Sequence, residues 1–304
     1  MAARSLIAAA TLALAAAGGL AHAARAPSLP GTVYRTVAVA AGGRVYVLGG
    51  HNLAGGSVTN VESFDPHSGR ARNAGTLVYP THGAAAANLR GRILVFGGAS
   101  ASVHDVVQQF FPATGRSRVI ATMPTVRADL TAAVAAGRVI LVGGFDGNGP
   151  QSSVWATRDG RRFAIVAHLP QAVRYPAVTA LGANVYAFGG LVSGGEYTGT
   201  FTSDIQRIDL RTGSGRVIGH LPTPLAHAMA ATVNGHIYLL GGSTPHGPSA
   251  LIRRLDPASG RTSVTGRLPH PLTDAAVASI GSTIYLLGGI SHRPLATILA
   301  VHPR

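Results

Sequence analysis

A Gly-Gly pair closes an apolar strand six times, as VYVLGG, ILVFGG, VILVGG, VYAFGG, IYLLGG and IYLLGG, with the second glycine at positions 50, 98, 144, 190, 242 and 289. The spacings are 48, 46, 46, 52 and 47 residues, so one supersecondary unit is written six times. A period of this size marks a repeat architecture, in which each unit buries its apolar face only against its neighbours. A second marker is a Leu-Pro-like pair, read as Leu29-Pro30, Tyr79-Pro80, Met123-Pro124, Leu169-Pro170, Leu221-Pro222 and Leu268-Pro269. Between each Gly-Gly and the next proline lies a turn such as DPHSGR (65 to 70), FPATGR (111 to 116), DLRTGS (209 to 214) or DPASGR (256 to 261). Asp or Pro followed by Ser/Thr-Gly is turn chemistry, because glycine supplies the positive φ that closes a hairpin.

Each unit therefore reads as four short strands. The first is small and apolar (TVAVAA, GAAAAN, TAAVAA, AVTAL, AMAATV, AAVASI), the second ends in Gly-Gly, the third precedes the turn, and the fourth leads to the next Leu-Pro. Asn234-Gly235 is the preferred two-residue loop for joining strands one and two. Alanine-rich first strands fit six sheets converging on an axis, where little volume is available per side chain. The expectation is an all-β, six-bladed β-propeller of four-stranded antiparallel blades. With 40 Gly, 18 Pro and only 12% charged residues, composition agrees with turns and short strands, and 46% hydrophobic residues supply a sizeable core.

Residues 1–23 stand outside the repeat. Arg4, an apolar run from Leu6 to Leu20 and then Ala21-His22-Ala23 follow the order of a secretory signal peptide, with cleavage expected after Ala23. The expected domains are a signal peptide, 1–23, and a propeller, 24–304, in a secreted, extracytoplasmic protein. The sixth unit stops after its third strand, so residues 24–29 are expected to supply the missing strand, tie the termini together and remove two free sheet edges.

The Gly-Gly strands, the Leu/Met-Pro pairs and the Asp-Pro-x-Ser/Thr-Gly turns resemble the Kelch-repeat family over residues 24–304, including the bacterial branch related to N-acetylneuraminate epimerase and the galactose oxidase central domain. Family members usually place Tyr before the turn and Trp after it. Here Phe64, Phe111 and Leu255 stand near the first place, Arg72 and Arg118 near the second, and the sole tryptophan is Trp155. The stretch 157–163, TRDGRRF, resembles a shortened Asp-box, a folding turn without catalytic meaning. The resemblance implies a ligand or partner surface on the face formed by the post-Pro and post-Gly-Gly loops.

Fourteen residues before each first glycine of the pair stand Arg35, Gly83, Asp129, Tyr175, His227 and Asp274, with His82, Arg174 and Thr273 one place earlier and Arg127 one further. A polar ring around the channel mouth follows, to which the post-Gly-Gly loops add His51, Asn52, Asp146, Asn148, Glu196, Tyr197, His246, His292 and Arg293. The candidate ligand-binding residues are Arg35, His82, Arg127, Asp129, Arg174, Tyr175, His227, Asp274 and Glu196. Two functions compete. One is non-enzymatic binding of a protein or glycan partner at the mouth. The other is a carbohydrate mutarotase or epimerase, implied by the epimerase resemblance, in which Arg127 and Arg174 hold a carboxylate and His227, Asp274 or Glu196 move the proton.

No cofactor and no metal is expected. There is no cysteine, which removes disulfides, thiolate ligands and the Tyr-Cys cofactor of galactose oxidase, and the 13 histidines show no tight ligand spacing. The formal net charge is +14, and all 25 basic residues are arginine, a pattern expected either from high-GC bacterial codon usage or from selection for arginine's fork-shaped donor geometry. Nucleic acid is not an expected specific partner, since there is neither a basic helix nor a stacking-aromatic array. Fourteen arginines, from Arg44 to Arg261, fall at the first hairpins and third-to-fourth-strand turns beside only Asp65, Asp159, Asp209 and Asp256. That face is expected to meet anionic cell-wall polymer or a membrane surface. The protein is expected to act as a monomer.

Overall fold

A computed structural model describes residues 27–195 and 199–303. Five four-stranded antiparallel sheets and one three-stranded sheet follow one another in the chain, each with its strands in sequence order from the inside outward. Their innermost strands are Val37–Ala41, Ala85–Leu89, Thr131–Ala135, Ala177–Leu181, Met229–Val233 and Ala276–Ile280. Each packs against the next in chain order, and Val37–Ala41 meets Ala276–Ile280, so the six sheets close a ring. The molecule is a six-bladed, all-β propeller; the blades are numbered 1 to 6 along the chain.

The core lies between blades rather than on the axis. Six apolar clusters fill the six blade interfaces; the one between blades 3 and 4, for instance, joins Ile140, Val142 and Leu169 to Val178, Val185 and Ile208. Second strands such as Arg92–Phe96 are buried on both faces, whereas fourth strands such as Arg70–Thr76 form the wet rim. Continuous apolar runs before each Gly-Gly are therefore the signature of a doubly covered strand.

The Gly-Gly pair binds one blade to the next. The second glycine's amide donates to a carbonyl of the following blade: Gly50 to Thr81, Gly98 to Arg127, Gly144 to Val173, Gly190 to Leu225, Gly242 to Leu272 and Gly289 to Val33, all at 2.7 to 2.8 Å. Side chains would block this approach. A Cβ on Gly189, whose φ is +58°, would run into the carbonyl oxygen of Leu225, a clash added to the left-handed backbone that non-glycine residues avoid.

The crossover marker needs correction in blade 2. The residue equivalent to Leu29 is Leu77, not Tyr79: Leu29, Leu77, Met123, Leu221 and Leu268 each donate a backbone amide to the segment before the third strand of the blade just completed. With Leu77 in place, the spacings of this buried position become 48, 46, 46, 52 and 47, identical to those of Gly-Gly. The constraint is the buried leucine or methionine; proline after it is optional.

At the seam, Ser28 bridges Thr297, the Leu29 amide donates to Ala296 (2.7 Å), and the Ile298 amide donates to Pro27 (3.1 Å). Blade 6 itself counts three strands, ending with Ile298–Val301. Residues 24–26 of the expected closing strand, and the whole expected signal peptide, lie outside the described residues.

Candidate functional site

The six positions picked out by counting back from Gly-Gly lie where the chain enters each innermost strand. Arg35, Asp129, Tyr175, His227 and Asp274 all hold φ between 50° and 56°, and Gly83 holds 57°. Their backbones explain why. Gly83 donates its amide to the Arg35 carbonyl, Asp129 to Gly83, Tyr175 to Asp129, His227 to Tyr175, Asp274 to His227 and Arg35 to Asp274, at 2.6 to 3.3 Å. Six amides and six carbonyls thus close a belt around the axis. A left-handed conformation costs a non-glycine residue roughly 1–2 kcal/mol, and here it is imposed five times by this belt.

The belt aims its side chains inward, where they meet across the axis. Asp129 lies between two guanidiniums, Arg35 Nη2 donating to Oδ1 (2.6 Å) and Arg174 Nη2 to Oδ2 (2.5 Å). The same two nitrogens donate to the Tyr175 hydroxyl at 2.6 and 2.8 Å. Arg35 therefore spans from blade 1 to blades 3 and 4. Beside this group, His227 Nδ1 and Asp274 Oδ1 are 2.8 Å apart, and the Tyr175 ring stacks on the imidazole at 4.0 Å. Arg174 lies over the rings of Phe145 and Tyr175, 4.3 and 4.6 Å from their centroids, a favourable cation–π arrangement. Arg35, Asp129, Arg174, Tyr175, His227 and Asp274 are each less than 9% exposed, and Phe145 is half-buried.

Gly83 is the gap in this ring that makes the bridge fit. A Cβ there would stand 2.5 Å from Asp129 Oδ1 and 3.3 Å from Arg35 Nη2. The mouth is covered by a lid of mutually bonded charges, because buried charges persist only when paired and hydrogen-bonded. Below it runs a channel of about 500 Å³, walled by the Ala, Val and Thr side chains of the six inner strands.

The remaining sequence candidates divide. Arg174 joins the lid from one position before the belt. His82 lies outside it, with Nδ1 2.8 Å from the Ser57 hydroxyl and its ring stacked on His51 at 3.9 Å. Burial first, then the charges of Arg35, His51 and His104, push its imidazole down to about 3, so it stays neutral at ordinary pH. Arg127 does not reach the mouth. Its guanidinium lies 3.8 Å above the Trp155 ring and donates to the Ser153 carbonyl (3.0 Å) and hydroxyl (2.8 Å), packed inside blade 3. The expectation that it holds a ligand carboxylate is corrected accordingly; burial lowers its pKa to about 10, still fully cationic at neutral pH. Glu196 lies outside the described residues. Among the described residues, no group of three His, Asp or Glu side chains is placed to hold a metal ion.

Phe145 is the lid residue that sequence reasoning missed. It directly follows Gly144, in the position where His51 follows Gly50, and each of these residues exchanges backbone hydrogen bonds with the residue before the belt. The signal was positional, and a search restricted to polar residues passes over an aromatic ring.

Comparison with known proteins agrees with this architecture. The family model described as "Kelch motif" matches residues 33–70, which run from the crossover into blade 1 to the end of its third-to-fourth-strand turn. A solved structure titled "Structure of YjhT" superposes with a TM-score of 0.78 at 14% identity, covering 92% of this chain and 97% of that one. No curated protein matches the chain. The chain is a six-bladed β-propeller whose first blade carries a match to the Kelch motif and whose fold is that of the superposed structure.

Proposed function

We propose that this protein is a secreted, non-enzymatic Kelch-type propeller that takes a protein or glycan partner on the loop face surrounding the axial lid. One observation carries the reading: the charged groups at the axis are bonded to one another and buried. A general acid or base has to reach its substrate's proton within hydrogen-bond distance, and here the axial acids already hold arginine or histidine. What the face offers a partner is the rim above them. Asn52, Leu53, Asn148 and His246 are exposed on post-Gly-Gly loops, Leu53 at 69%, and a rigid scaffold carrying variable loops is a common binding platform.

The second reading, a sugar mutarotase or epimerase, draws on the His227–Asp274 pair, whose carboxylate orients the imidazole as in many acid–base catalysts. Proton NMR separates the two. Reducing sugars, N-acetylneuraminate among them, are expected to exchange anomers at the uncatalysed rate in the presence of the protein, and acceleration of any of them would overturn the non-enzymatic reading. A glycan array supplies the positive arm: retention that falls when Asn52 and Asn148 are replaced by Ala supports the rim, and unchanged retention in those variants removes it.

The opposite face supports a separate proposal, attachment to an anionic polymer or membrane surface. Eleven of its fourteen arginines belong to blades 1 to 3, so the charge forms a sector rather than a ring. Phosphocellulose probes it: binding should weaken steeply with added salt, and salt-insensitive binding would count against the sector.

A further inference from the structure

Glu62 lies on the third strand of blade 1, opposite Val47 and just after a bulge. Blades 2 and 4 place a glutamine at the same point of the same bulge, Gln108 opposite Val95 and Gln206 opposite Ala187. Both glutamines clamp the crossover that enters their blade. Gln206 Oε1 accepts the Gln171 amide (2.8 Å) while Nε2 donates to the Gln171 carbonyl (3.1 Å). Gln108 accepts from Val78 and Tyr79 (2.8 and 2.9 Å) and donates to the Tyr79 carbonyl (3.2 Å). One carboxamide thus satisfies both a donor and an acceptor of the backbone.

In blade 1 the crossover is Leu29-Pro30-Gly31-Thr32-Val33, and Gly31 stands where Gln171 stands in blade 4. The Glu62 carboxyl accepts the Gly31 amide. Its Oε2 is buried without a hydrogen-bond partner, in a residue only 6% exposed. A carboxylate can accept but not donate, so the ionised side chain can make only half of the glutamine clamp. A neutral carboxyl, with one O–H, can make both halves.

We propose that Glu62 is a proton-operated latch on the segment that closes the ring: as the neutral acid it holds Gly31 as Gln206 holds Gln171, and on losing its proton it lets residues 29–33 loosen. That segment holds the seam. Leu29 and Val33 are buried against Leu287 and Ile298 of blade 6, and the Val33 carbonyl receives the Gly289 amide that joins the last blade to the first. Beside the latch lies a cavity of about 340 Å³, lined in part by Thr32, Asn52 and Asn60, which can admit water to the ionised group. None of these side chains titrates, and neither do its cross-strand neighbours Val47 and Asn73; the ionisable group that blade 6 brings to the adjoining cluster is the Tyr285 phenol, packed edge-on against Phe64. Burial, opposed only by the Gly31 amide, raises the Glu62 carboxyl from 4.5 to about 7.

The sign follows from linkage. Between pH 4.5 and 7 the folded state keeps a proton that the unfolded chain has lost, so this group's contribution to stability is full below that window and falls as pH rises through it, by up to about 300-fold in the unfolding equilibrium. The test compares thermal unfolding of the full chain with Glu62→Gln from pH 4 to 8.5. The two should melt alike at pH 4, and the variant should melt several degrees higher at pH 8.5. Other carboxylates cancel in the difference. Hydrogen exchange, corrected for its intrinsic pH dependence, should show the Gly31 and Leu29 amides losing protection at pH 8.5 in the natural chain and keeping it in the variant. A pH-independent difference between the two proteins, a variant that melts lower at pH 8.5 or fails to fold, or amides equally protected in both would each overturn the latch.

Discussion

The two ends of the propeller handle charge in opposite ways. At the lid end, Arg35, Arg174, Asp129 and Asp274 are withdrawn from water and bonded to one another or to Tyr175 and His227. At the hairpin end, arginines such as Arg116, Arg118, Arg161 and Arg211 are exposed, and the nearby acids are turned to local work. Asp159 Oδ1 accepts the Arg161 and Arg162 amides (2.8 and 2.9 Å), Asp209 Oδ1 the Arg211 amide and Asp256 Oδ1 the Ala258 amide. The Arg162 and Arg161 amides hold the Asp159 carboxyl below its ordinary range. The difference teaches where charge determines fold and where it determines encounter. A buried pair is costly to break, and a solvated arginine is nearly free to change.

The strongest way to break the comparison is Asp129→Asn. It leaves two buried guanidiniums facing a neutral amide, a loss of roughly 3–5 kcal/mol by analogy with other buried pairs that lose a partner. In a chain of this size the melting temperature should fall by on the order of 10 °C. Calorimetry checks it, and a fall of only a degree or two would mean that the lid bears little of the fold. Gly83→Ala probes the same bridge more gently. The new methyl must displace Asp129 Oδ1 and adopt φ near 57°, so the loss should lie between about 1 kcal/mol for the backbone alone and the Asp129→Asn value. A variant as stable as the natural chain would show that the bridge has room to move.

How much of this could be read from the sequence follows the range of the interactions. Gly-Gly reports a contact imposed on consecutive residues, and it located six blades and the belt position without a structure. The belt's left-handed backbone is equally regular, which is why counting back fourteen residues landed on it each time. The pairing inside the lid is different. That Arg35 reaches Asp129 and Tyr175 two and three blades away depends on side-chain rotamers and on Gly83 leaving a gap, neither of which a repeat pattern contains. Arg127 failed for a related reason: Trp155 occupies in blade 3 the place of Gln108 in blade 2, and that aromatic face draws the guanidinium inward. Tyr79-Pro80 misled because proline is conspicuous, while the conserved demand of the repeat geometry is the buried Leu77.

A smaller effect, of opposite sign, is expected at the hairpin end. Ala136 takes φ of 49° in the tight turn between the first two strands of blade 3, where blade 1 has Gly42. No belt of hydrogen bonds requires a side chain there, so Ala136→Gly should relieve about 1 kcal/mol of left-handed strain, less the few tenths lost to a more flexible unfolded chain. A melting temperature raised by one or two degrees would separate strain tolerated at a hairpin from strain imposed at the lid, and a lowered one would place Ala136 among the residues that hold the turn.

A similarly small effect on stability should come from the change that alters most charge. Replacing Arg116, Arg118, Arg158, Arg161 and Arg162 together by Gln removes five positive charges from blades 2 and 3, where every one of these side chains is exposed. Surface substitutions of this kind usually stay within about 0.5 kcal/mol each, and relief of like-charge repulsion offsets part of any loss. The melting temperature should therefore stay within a few degrees of the natural value. Retention on phosphocellulose at low salt should nevertheless collapse, since the encounter depends on the summed field of the sector and not on any one contact. If the variant unfolded like Asp129→Asn, these arginines would belong with the lid as structural charges. If it kept both its stability and its retention, the excess charge of blades 2 and 3 would have no part in attachment, and the contrast between the two ends would reduce to burial alone.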